Sequence, residues 1–140
     1  MDLSIFDIAG SAMRAQSTRL NTTASNLANA SSVAASAEEA YRSRHPVFAA
    51  ALERAIGGAG DRAGIGGVEM RGIVESRRPP ERRHAPDHPL ADADGYVYGS
   101  NVDVIEEMTN MMSASRNYQS NVELLNTARQ LALQTLKLAE

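Results

Sequence analysis

His84 and His88 stand four residues apart with Asp87, Asp92 and Asp94 nearby, so the first chemistry to weigh is metal binding. A zinc site would need both imidazoles on one face of a regular element, and Pro86 between them blocks the helix that would provide it. No third ligand follows at a usable spacing, and the residues predict neither a metal nor a cofactor. Asp92-Ala93-Asp94-Gly95 has the outline of a calcium loop. With Gly95 at the sixth position, however, the first would be Leu90 and the twelfth Asn101, and neither brings the carboxylate that such a loop requires. The glycines between Gly57 and Gly67 are not followed by Lys-Ser or Lys-Thr, so they form no phosphate loop. His45, His84 and His88 are not spaced to set a base against a serine, and no Gly-x-Ser-x-Gly turn exists. The chain reads as a protein that is not an enzyme.

The elements that position these residues point instead to packing. The chain has 140 residues, 43% of them hydrophobic but only 4% aromatic, without tryptophan or cysteine. Much of the apolar fraction is alanine, and the large side chains cluster towards the two ends, so the middle can build little core of its own. The lack of cysteine removes disulfides, thiolate metal sites and cysteine nucleophiles together. The net charge of -3 suggests no polyanionic partner, and Arg71, Arg77, Arg78, Arg82 and Arg83 lack the interleaved aromatics of a nucleic-acid surface. Asp2 and Asp7 stand where a secretory signal would carry positive charge, so no cleaved signal is expected, and no run of about 20 apolar residues predicts membrane insertion.

Residues 3–30 predict a helix. Phe6, Met13, Leu20 and Leu27 recur every seven residues as a large apolar seam, flanked by the small residues Ala9, Gly10, Ser17 and Ala24. Residues 101–140 predict a longer one, roughly 55–60 Å in length. There Val104, Met108, Met111, Tyr118, Val122, Leu125 and Leu136 fall on a heptad pattern, and Leu124, Leu131 and Leu138 run beside it. Met108, Met111, Met112 and Tyr118 are packing residues at this spacing rather than a cofactor box. Asn101 or Asp103 could cap the start, and Glu106 and Glu107 suit the positive end of the helix dipole.

Between the helices the reading is a small β insertion. Tyr41–Phe48 looks extended, Ala49–Ala55 suggests a helical turn, and Gly57–Gly67 a flexible connection. Val68–Val74 suggests a strand irregular at Gly72. Pro79–Pro89 would cross the surface extended, and Asp94-Gly95 would turn into a strand at Tyr96–Tyr98. The expected architecture is mainly α with a small β insertion, its N- and C-terminal helices paired as an antiparallel, coiled-coil-like hairpin. Residues 1–33 and 101–140 would form the helical pair, and residues 34–100 a middle segment rich in Gly, Pro and Arg.

Several segments are similar to a known family. Ala24-Ser25-Asn26-Leu27-Ala28-Asn29-Ala30 resembles the signature near the N-terminus of flagellar rod, hook and hook-associated axial proteins. Ala15–Asn21, Tyr41-Arg42 with Pro46-Val47-Phe48, His88–Val97, Asn101-Val102-Asp103 with Glu106-Glu107-Met108, and Ser113–Val122 together resemble the short proximal-rod branch. Ser100 departs from the proline that this branch often places before Asn-Val, and Ala49–Gly67 is unusually rich in Ala and Gly.

The resemblance implies a structural subunit of the basal-body rod. Such subunits are exported by the flagellar type III apparatus without a cleaved signal. They polymerise in the periplasm into a helical tube that surrounds the export channel and transmits torque. The implied partners are proximal- and distal-rod proteins, the export-gate and ring adaptor of the basal body, and copies of the chain itself, with no nucleic acid. The expected contact residues are Phe6, Met13, Leu20, Asn26, Leu27, Asn29, Val104, Met108, Met111, Tyr118, Val122, Leu125, Leu131 and Leu136. Asn26 and Asn29 are read as amides that bond neighbouring chains and fix register. The competing reading is a peripheral membrane binder, but Glu106, Glu107 and Glu123 deny the second helix the basic face it would need.

Overall fold

The computed structural model describes residues 3–52 and 66–138. Helix α1 covers Leu3–Ala28, and strands β1 (Val33–Ala34), β2 (Arg44–Leu52), β3 (Gly66–Glu75), β4 (Glu81–His84) and β5 (Tyr96–Gly99) follow, before helix α2 at Val104–Leu138. The helical ends and the β-containing middle agree with the sequence reading.

Helix α1 unwinds where serines and asparagines crowd together. The Ala30 N–H reaches back only to the Leu27 carbonyl and Ser32 only to Asn29, tight turns that bring the helix to a close. Helix α2 begins on Asp103, whose Oδ1 accepts the N–H groups of Ile105 and Glu106 at 2.9 and 3.1 Å. Asn101, the other candidate cap, has a different task. Its Oδ1 accepts the Ser43 N–H at 2.7 Å and its Nδ2 donates to the Arg78 carbonyl at 2.8 Å, bracing the middle segment against the start of α2.

The middle is two sheets rather than one element. Strands β2 and β3 form an antiparallel hairpin sheet, and the other sheet has the order β1-β5-β4. The reading of Ala49–Ala55 as a helical turn fails for Ala49–Leu52, which continue β2 opposite β3; residues 53–55, like Gly57–Ile65 of the flexible connection, lie outside the described residues. Alanine favours a helix locally, but the ladder opposite Glu69, Val68, Gly67 and Gly66 overrides that preference. The irregularity expected at Gly72 is real. Val47 faces Gly72 but Phe48 faces Met70, so Arg71 is an extra residue, and Gly72 takes φ +152°. Proline spacing concealed β4, an edge strand with four exposed residues. The Asp94-Gly95 turn stands as expected: Gly95 has φ +77°, and a Cβ there would sit 3.1 Å from Pro86 Cβ.

Burial is unusual in kind. Among the described residues the buried apolar side chains are Ala9, Ala15, Ala40, Val97 and Ala114, while Thr22, Thr23, Asn26, Ser43, Ser100 and Glu107 are buried and polar. The interior is therefore alanine and hydrogen bonds, and most of the large apolar side chains stay wholly or partly outside. Helix α1 lies between α2 on one flank and the β2–β3 hairpin on the other.

Candidate assembly interface

The two helices run in opposite directions. Asn26 near the end of α1 meets Glu107 near the start of α2, and Arg19, earlier in α1, donates to Asn110 Oδ1 at 3.1 Å, further along α2. At about 1.5 Å per residue α1 spans roughly 39 Å and α2 roughly 52 Å. Counting back from the Asn26–Glu107 contact, the first turn of α1 lies level with about residues 126–130 of α2. The last two turns of α2 thus have no helix beside them.

The most enclosed apolar residues of the helix pair are small. Ala9 is 1% and Ala114 0% exposed, whereas the large seam of Met13, Leu20 and Leu27 is half-buried and Phe6 is exposed. The sequence reading set these small residues beside the large seam, and in the fold Ala9 is more enclosed than the seam itself. A Cβ-sized contact lets the axes come close, and the large side chains are left at its edge.

Where the helices meet the middle segment, hydrogen bonds replace apolar contact. Asn26 is fully buried, and its Nδ2 donates to the Arg44 carbonyl at 2.8 Å and to Glu107 Oε1 at 3.1 Å. Its Oδ1 accepts from the Tyr41 hydroxyl at 3.0 Å and from the Arg44 N–H at 2.9 Å. Both donors and both lone pairs of the amide are used within one chain, so the expectation that Asn26 bonds a neighbour is corrected. Its Nδ2 hydrogens and its oxygen have nothing left to offer. Asn29, just past α1, donates its Nδ2 to the Ser25 carbonyl one turn back at 2.8 Å.

Glu107, 2% exposed, lies with His45 Nδ1 4.0 Å from its Oε1. These two residues, with Ser43, Ser76, Arg78 and Asn101, border a polar cavity of about 70 Å³. Sequence reasoning gave Glu107 to the helix dipole and to the polar face of α2, not to the interior. One signal was present: Glu107 falls three residues after Val104 and four before Met111, on the apolar stripe itself.

The remaining expected contact residues divide by exposure. Met111 and Leu125 are half-buried, while Val104, Met108, Tyr118, Val122, Leu131 and Leu136 are exposed. Past the end of α1, Leu131, Leu133 and Leu136 point to different sides of α2, since a residue turns about 100°. A helix that is apolar on several sides is one that other structure covers. His84 and His88 are occupied otherwise. His84 meets the Tyr96 ring edge-on at 4.9 Å, and His88 Nδ1 accepts the Leu90 N–H at 3.1 Å. No helix among the described residues is long and apolar enough to cross a membrane.

Comparison with known proteins agrees with this layout. Residues 6–35 match a family model described as flagella basal body rod protein, and residues 93–138 one described as flagellar basal body rod FlgEFG protein C-terminal. The two matches coincide with the two helices and the segments that join them to the middle. The chain is 50% identical over 138 residues to a flagellar basal-body rod protein FlgC of Salmonella typhimurium, covering 99% of this chain and 98% of the relative. It is 51% identical to the FlgC of Escherichia coli and 40% to that of Buchnera aphidicola from Acyrthosiphon pisum, at the same coverage. An alanine seam, a buried amide at the junction and an uncovered leucine end thus occur in a chain that belongs to the FlgC family of flagellar basal-body rod proteins, structural subunits of the rod.

Proposed function

We propose that the chain polymerises through its two terminal helices, with other rod proteins and with copies of itself, into a helical tube that transmits torque and surrounds the export channel. It reaches the periplasmic part of the basal body through the flagellar type III apparatus, without a cleaved signal. The observation that carries this reading is the end of α2. Leu131, Leu133 and Leu136 are at least half exposed, and covering them would contribute on the order of 3–4 kcal/mol. The half-buried seam of Met13, Leu20 and Leu27 adds surface that a neighbouring helix would complete. With no disulfide to form, the chain needs no oxidation after export.

Leu20→Asp and Leu27→Asp test the seam. Each should abolish recovery of the chain in purified basal bodies and reduce swimming to background. Secreted amounts should not change, because an unfolded chain has no seam. Normal motility in either variant would remove these residues from the interface.

A further inference from the structure

We draw no further inference here: the strongest candidate, the polar cavity between the start of β2, the segment after β3 and the first turn of α2, belongs to the junction already described, where Asn26 holds the buried Glu107 carboxylate, and nothing in the structure shows what occupies it.

Discussion

The two ends of the helix pair are held by different physics. At the junction with the sheets, Asn26 and Glu107 are buried in a network that draws on Tyr41 and Arg44 and adjoins His45. At the far end, leucines stand in the open beyond the start of α1. Hydrogen bonds are directional and leave little freedom of register, whereas apolar contact accepts any complementary surface. A subunit built this way fixes its own geometry at one end and leaves the other to be completed by whatever it joins.

That contrast breaks most severely at Asn26. Asn26→Asp replaces a donor by a second buried carboxylate beside Glu107, and it also turns an oxygen towards the Arg44 carbonyl. The expected loss is about 3 kcal/mol or more, enough to unfold a marginal subunit, and chemical denaturation of the purified chain would measure it. A drop below about 0.5 kcal/mol would show that the junction tolerates rearrangement.

Truncation after Gln130 probes the other end. It should abolish incorporation into basal bodies, while the far-ultraviolet circular dichroism of the isolated chain falls only by the helix removed. Hydrogen exchange would sharpen the contrast in the intact chain. Dilute protein should protect the amides around Asn26 and Glu107 and exchange quickly beyond about residue 130 of α2, with the difference disappearing on assembly. A concentration-independent melt with both ends equally protected would remove the distinction.

The smallest effect concerns the turn before β5. Asp92 Oδ1 accepts the N–H groups of Tyr96 and Asp94, and its Oδ2 takes the Tyr98 hydroxyl. The Tyr96 N–H is the main cause that holds its carboxyl below the ordinary aspartate value of 3.8, with Asp94, Tyr98 and the Arg82 charge adding to it against partial desolvation. A lowered value in the folded chain means that the turn's stabilisation is complete above the ordinary aspartate range. It is lost as pH falls through the lower folded value. The protection factor of the Tyr96 amide, corrected for the intrinsic pH dependence of exchange, should therefore fall in acid more than that of the β2–β3 ladder, and Asp92→Asn should flatten the difference.

The helices were legible because heptad spacing is a local property of the sequence. Their boundaries agree with the reading to within three residues at each described end. What could not be read was which face of α1 would be buried, since that depends on α1 being flanked by both α2 and the β2–β3 hairpin. The large seam looked dominant by composition, yet Ala9, Ala15, Thr22, Thr23 and Asn26 are the enclosed residues of α1. Strand β4 was hidden because Glu81-Arg82-Arg83-His84 has no apolar alternation, and its place depends on pairing with β5 across the Gly95 turn. The amides in the family signature were noticed, but their partners, the Arg44 backbone and Glu107, lie 18 and 81 residues away in the chain.

The Ala9 and Ala114 seam has a consequence for how this chain tolerates change. Alanine has almost no side-chain freedom to lose, so closing the seam carries little entropic penalty, but it leaves no space for even one added methylene. A saturation scan read out on the isolated subunit should then look inverted. Its inconspicuous alanines would be the intolerant positions, and Leu131, Leu133 and Leu136 would accept polar residues freely. The same scan read out by swimming should exact a penalty at the leucines as well, and the positions where the two scans differ would outline the surface that belongs to the assembled rod.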